Sequence, residues 1–332
     1  MASRASHPPP GHLAGRLALA VAALAISPLR AWAHPGEPIA PHDLGSAWSW
    51  DAGTVIGLAA AALLYAAGSR ELRRRSARAG RLRARQRLAF WAGWTLLAVA
   101  LVSPLHALGG ALFSAHMVQH ELLIALAAPL LVAARPGPAL LWALPSGGRR
   151  TLGAAARTRP LRAAWRALSH PLTAFLLQAA ALWTWHLPGP YQATLRSDVA
   201  HAAQHASFLV TALLFWWSVL HAAGGRRGSG AAVASLFLTT IHTGALGALL
   251  ALAEQPWYPS YGRSAWAWGL TPLEDQQLAG LVMWIPACLA YVVAALWIAR
   301  HWLVEPGRRP RADVRGADVP TPRPVRLVGG EP

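Results

Sequence analysis

The sequence predicts an all-α fold: a polytopic membrane helix bundle with seven transmembrane helices behind a signal peptide. Three observations carry that prediction. The 332 residues are 55% hydrophobic and only 13% charged, about half the charge of an ordinary soluble domain. Seven apolar runs are each long enough to cross a hydrocarbon core of about 30 Å. The arginines fall in blocks between those runs, on alternate connections, as in the cytoplasmic loops of multi-span proteins.

The elements follow in order. Residues 1–33 read as a signal peptide, with Arg4 and Arg16 ahead of an apolar core from Leu17 to Leu29 and small residues at Ala31 and Ala33. That core is too short to span a bilayer. Residues 34–300 form the expected transmembrane domain, with spans at about 48–67, 88–108, 112–134, 170–187, 201–222, 231–253 and 276–299. Each span must be helical, because lipid offers the backbone no hydrogen-bond partner. The connection 135–169 is rich in Pro and Arg and partly apolar, which fits a segment lying along the inner surface. Trp48, Trp50, Trp257, Tyr258, Tyr261, Trp266 and Trp268 gather near span ends and read as interface anchors. Residues 301–332 are rich in Pro, Arg and Gly and read as a disordered basic tail.

The formal charge of +17 comes from arginine alone. A nucleic-acid partner would need those arginines on one face, and the apolar runs separate them. Blocks at Arg70–Arg87 and Arg135–Arg166, the pair Arg226 and Arg227, and the tail from Arg300 lie on one side. The other side holds Arg196 and Arg263 with most of the acids, among them Glu254, Glu274 and Asp275. The expected orientation is therefore mature N-terminus outside, C-terminus in the cytoplasm. The single cysteine, Cys288, rules out an internal disulfide and any Cys-x-x-Cys metal clip.

Two segments carry chemistry. "HMVQHE" (116–121) and "HAAQH" (201–205) share the spacing His-x-x-Gln-His. Residues four apart stack on one helical face, so each pair of imidazoles can hold one metal ion, and two such helices could supply four nitrogens. Counting depth at about 1.5 Å per residue, His106, His116, His120, His186, His201 and His205 converge on the outer leaflet. His242 lies deeper, and Met283 sits about two turns into the last span. Imidazole suits Cu, Zn, Fe and Ni, and a thioether such as Met117 tilts the choice toward Cu(I). As its neighbour in sequence, Met117 points away from the His116/His120 face. Gln119 and Gln204 could hold rings on other helices. The plainer reading is that the histidines only hydrogen-bond between helices, but Glu121 adds an ionisable group inside lipid, where such groups mark function. His170, His221 and His301 are assigned no role. Cleavage after Ala33 would leave His34 at the N-terminus, where its amine and ring could chelate copper; the plainer reading is that it merely follows the cleavage site.

The stretches "HMVQHELLIALAAPLLV" (116–132), "WTWHLPGPYQATL" (183–195), "HAAQHASFLVTALLFWW" (201–217), "GALGALLALAEQPWYPSY" (244–261) and "TPLEDQQLAGLVMWIPA" (271–287) give the chain a resemblance to the CtaG-type cytochrome c oxidase assembly proteins, seven-span bacterial membrane proteins. The resemblance implies a non-enzymatic role in forming haem–copper oxidase, most plausibly by supplying copper, at the bacterial inner membrane. It also implies an oxidase subunit or another copper-handling protein as partner. Carried over by position, the candidates are His116, Met117, His120, His186, His201, His205, His242, Glu254, Asp275, Gln276 and Met283. His116, His120, His201 and His205 are the expected metal ligands, while Asp275 and Gln276 position ligands or dock the oxidase. Pro129, Pro188 and Pro286 are expected to kink or end helices. The competing readings are a haem-binding electron carrier, a copper permease and a metal-free scaffold.

Overall fold

The computed structural model describes residues 39–75, 80–222, 226–262 and 264–304. The expected signal peptide at 1–33, with His34, and the tail from residue 305 lie outside the described residues. Most of those described are helical, with no strand among them. Five helices are long and apolar enough to cross a membrane, or six if one bent pair counts as a single span.

Helix α1 (Ala52–Arg75) starts where Asp51 accepts a hydrogen bond from the Thr54 amide at 2.7 Å. It ends on Arg73, Arg74 and Arg75, cations that suit the negative end of a helix dipole. Helix α2 (Gly80–Val102) packs beside it, with the Trp94 indole donating to the Leu58 carbonyl at 2.9 Å and Phe90 stacked on Tyr65. The expected straight span at 88–108 is broken. Pro104 forces Ser103 into extended backbone, Ser103 caps the amide of Leu105, and helix α3 (Pro104–Ala111) leaves at 47°. His106 thus rides on a short separate helix.

Helix α4 (Phe113–Ala134) is central, flanked by α2 and by the later helices α10 and α12. Its residues Leu122–Ala127 form a widened, π-helical turn directly after Glu121. Pro129 explains it. In this register the Ile124 carbonyl would look to residue 129 for a donor, and proline has none. The Trp216 indole supplies it instead, at 2.8 Å. Arg135, in left-handed backbone, ends the helix.

The connection 135–169 folds into three helices. Helix α5 (Gly137–Ala143) packs so closely on α1 that a Cβ at Gly68 would strike the Ala139 carbonyl. Helices α6 (Ser146–Ala155) and α7 (Arg159–Leu168) are amphipathic, leaving Leu152, Leu161 and Trp165 exposed, as surface-lying helices do. Helix α8 (Pro171–His186) has only 16 residues, about 24 Å. Pro188 then opens helix α9 (Pro188–Thr194).

Three long helices complete the bundle: α10 (Asp198–Ala222), α11 (Arg226–Ala251) and α12 (Pro272–Val304), with Pro286 inside the last. Backbones of α11 and α12 nearly touch. A Cβ at Gly247 would lie 2.8 Å from the Gly280 carbonyl oxygen, and one at Gly280 would lie 2.6 Å from that of Gly247. Small residues at such crossings replace the hydrophobic drive that lipid removes. The connection between these helices corrects one expectation. Tyr258 and Tyr261 are not interface anchors: they are 2% and 3% exposed and pack inward. Trp48, Trp50 and Trp266 stay exposed.

The Gly247–Gly280 crossing is testable. Gly280→Leu should destabilise the bundle by about 1–3 kcal/mol or more through overpacking, lowering the thermal midpoint followed by tryptophan fluorescence in detergent. Gly57→Ala, where nothing lies within 4 Å of the added carbon, should leave the midpoint unchanged.

Candidate metal centre

The N-terminus of α4 has no cap from its own segment, since Leu112 stands at the capping position. Asp275, 162 residues away on α12, provides one. Its carboxylate accepts from the Phe113 amide at 2.7 Å, the Ser114 amide at 3.0 Å and the Ser114 hydroxyl. Asp275 is fully buried, and a buried carboxylate needs such donors. Gln276 beside it ties down the preceding connection, accepting from the Trp257 amide at 2.6 Å and donating to the Gln255 carbonyl. Glu254 is exposed, on the rim of a groove with Leu252 and Trp257.

With α4 so fixed, His116 and His120 face α10. Ring centroids lie 4.4 Å apart for His116 and His120 and 4.4 Å apart for His201 and His205. Across the interface His116 lies 5.1 Å from His201, and His120 lies 5.4 Å from His205. His106 stacks on His201 at 5.2 Å. Two sets of three rings place one nitrogen from each residue within 4.8 Å of the others: His106, His201 and His205, and His116, His120 and His205. His205 belongs to both.

Each motif glutamine reaches across to a ring on another helix. Gln204 Oε1 is 3.2 Å from His116 Nε2, and Gln119 Nε2 is 2.9 Å from His106 Nδ1 and also donates to the Ala100 carbonyl. Gln204 accepts from the His116 ring, as the outer partners of metal-binding histidines do, whereas Gln119 donates to His106 and leaves that ring's proton on Nε2. A tyrosine layer closes one end of the group. Tyr261's hydroxyl meets the Gly109 carbonyl at 3.0 Å, the Tyr191 hydroxyl at 2.9 Å and His116 Nδ1 at 3.4 Å. Tyr258 donates to the His186 carbonyl at 2.7 Å. Burial holds the phenols of Tyr258 and Tyr261 above their ordinary range, so both stay protonated.

Several buried nitrogens find no hydrogen-bond partner among the described residues: both of His120 and Nε2 of His201 and of His205. Buried polar atoms are ordinarily satisfied, and leaving one unpaired costs about 1–3 kcal/mol. A metal ion is one way to satisfy several at once, so the donor set fits one. Glu121 Oε2 is also buried and unpartnered.

The other sequence candidates divide. His186 joins the edge of the group, its ring 6.0 Å from His120, and Met117 faces it, with Sδ 3.4 Å from His186 Nε2. His242 packs against Phe175 at 5.5 Å, with both nitrogens unpaired, and Met283 is buried in the main core. Neither makes a ring contact or hydrogen bond with the group among the described residues. From the sequence His106 counts among the converging histidines but not among the expected ligands. The three tyrosines were missed as site residues. The Tyr-x-x-Tyr spacing of 258 and 261, which can put both rings on one side of a tight turn, was the available signal.

The comparisons with known proteins meet this geometry. Residues 63–305 match the family model described as cytochrome c oxidase caa3 assembly factor. The chain belongs to that family. It is also 27% identical over 285 residues to uncharacterized proteins of Mycobacterium bovis and of Mycobacterium tuberculosis, matching 82% of this chain. It covers only 42% of those relatives' length. No solved structure matches. The family match spans all six converging histidines, Asp275 and the tyrosine layer.

Asp275→Ala should leave two amides at the start of α4 without an acceptor. The expected cost is about 1–3 kcal/mol, read as a lower thermal midpoint and faster hydrogen exchange at Phe113 and Ser114. Asp275→Asn, which keeps an acceptor oxygen, should lose less.

Proposed function

We propose that this caa3 assembly factor is a seven-span protein of the bacterial inner membrane that binds copper through its histidine group. It delivers the metal to a cytochrome c oxidase subunit or to another copper-handling protein, and copper is its cargo. One observation carries this reading: two three-nitrogen sets share His205 in a buried volume where several ring nitrogens have no other partner. Imidazole-rich sets suit copper, and an oxidase assembly factor is where such a cargo has a destination. In this arrangement α8, joined to α9, makes the seventh crossing, and the arginine blocks put the histidine end outside. Residues that bind and release a cargo ion do no bond-breaking chemistry, so the role is not enzymatic.

The packing disfavours haem. Neighbouring rings stand 4.4–6.1 Å apart and abut Phe208 and Tyr191, which leaves no flat slot for a macrocycle between them.

The test is metal analysis with an optical spectrum on protein purified in mild detergent from copper-replete cells. Wild type should carry at least one copper per chain and show no Soret band, and His116→Ala/His201→Ala should lose most of it. A Soret band would contradict the reading in favour of an electron carrier. Metal-free protein on which oxidase formation still depends would leave a scaffold. Gln204→Leu, which removes an orienting partner and no ligand, should weaken copper affinity about 10–100-fold. Affinity should also fall toward acid pH, because ligating imidazoles must give up their protons.

A further inference from the structure

The contact between His186 and Met117 is of a different chemical kind from the rest of the group. His186 Nδ1 lies 2.7 Å from the Leu182 carbonyl, one turn back on α8. A carbonyl oxygen can only accept, so Nδ1 carries the proton, and the neutral ring presents a bare lone pair at Nε2. That lone pair faces the Met117 thioether at 3.4 Å. The thioether has no proton to give. Two acceptors therefore confront each other with no hydrogen between them, at 2% and 0% exposure. Taking zinc bond lengths of about 2.0–2.3 Å as a guide, one ion bound to both atoms at a tetrahedral angle would set them roughly 3.5 Å apart.

The surroundings fit an ion here. His120, both of whose nitrogens are unpaired, has its ring 6.0 Å from His186 and 4.4 Å from His116. It stands between the all-nitrogen sets and the Met117/His186 pair. Phe208 walls both sides, 4.7 Å from His120 and 6.1 Å from His186. Tyr258 fixes the backbone of His186 through its carbonyl. A thioether with one or two imidazoles in an apolar wall is a soft donor set, suited to monovalent copper and unsuited to hard or nitrogen-preferring divalent ions.

We infer that Met117 and His186, with His120, form a second and softer metal position that selects a monovalent copper-class ion, next to the all-nitrogen histidine sets. His120 is the residue common to both positions, and an ion moves between them by exchanging its other ligands. This inference rests on the copper-handling reading and adds oxidation-state selectivity to it.

The test uses full-length protein in detergent loaded with Cu(I), and selenomethionine labelling makes it direct. The chain has three methionines, Met1, Met117 and Met283, so a Met283→Leu variant leaves 117 as the one internal selenium. X-ray absorption at the selenium edge should show a copper neighbour, and the copper edge should show one selenium with imidazole nitrogens. Separately, Met117→Leu, which conserves volume, should weaken binding of Ag(I), a redox-inert monovalent probe, at least about tenfold. It should leave Zn(II) binding within twofold. Copper bound with nitrogen neighbours alone, together with unchanged Ag(I) affinity in Met117→Leu, would overturn the soft position and leave the histidine sets standing. Protein that takes up neither copper nor silver would overturn both. The selenium measurement does not depend on Met117→Leu folding.

Discussion

The carboxylate of Asp275 is the interaction on which the site depends. It joins the last long helix to the first turn of α4 through two amides and a hydroxyl. Helix α4 carries His116, Met117, Gln119, His120 and Glu121, so one buried cap sets the height and rotation of half the site. Lipid makes such a device effective. Water cannot substitute for the lost acceptor, and the two amides have no alternative partner in their own helix.

The same economy governs the side chains. In the bundle interior every polar atom must meet another or remain costly. Gln119 and Gln204 each spend one end on a ring of another helix, and Trp216 supplies the donor that Pro129 withholds. The unpaired nitrogens of His120, His201 and His205 are distinguished by lying together. They are grouped, on neighbouring rings whose centroids lie 4.4–5.4 Å apart. Glu121, Gln178 and His242 carry other unpaired atoms.

Much of this was legible in the sequence, for identifiable reasons. Hydropathy located the long helices because bilayer thickness fixes their length. The four-residue spacing placed His116 with His120 and His201 with His205 because helical geometry is local. Information that depends on tertiary contact was not legible. Nothing local says that Asp275 caps α4, that the connection after α11 folds Tyr258 and Tyr261 inward, or that His106 meets His201. The bend at Ser103–Pro104 was readable from proline alone and was overridden by the unbroken apolar run around it. The connection 135–169 showed its Pro- and Arg-rich, partly apolar character in the sequence but not the packing of α5 on α1, which hinges on Gly68.

The central claim is that imidazoles from three helices hold copper together, with His205 common to both nitrogen sets. Pulsed electron paramagnetic resonance on Cu(II)-loaded protein tests it most directly, because the remote nitrogens of bound imidazoles modulate the signal. The expected spectrum shows coupling to two or more imidazoles, reduced in His205→Ala. A copper signal without imidazole coupling, or one that His205→Ala leaves unchanged, would contradict the claim.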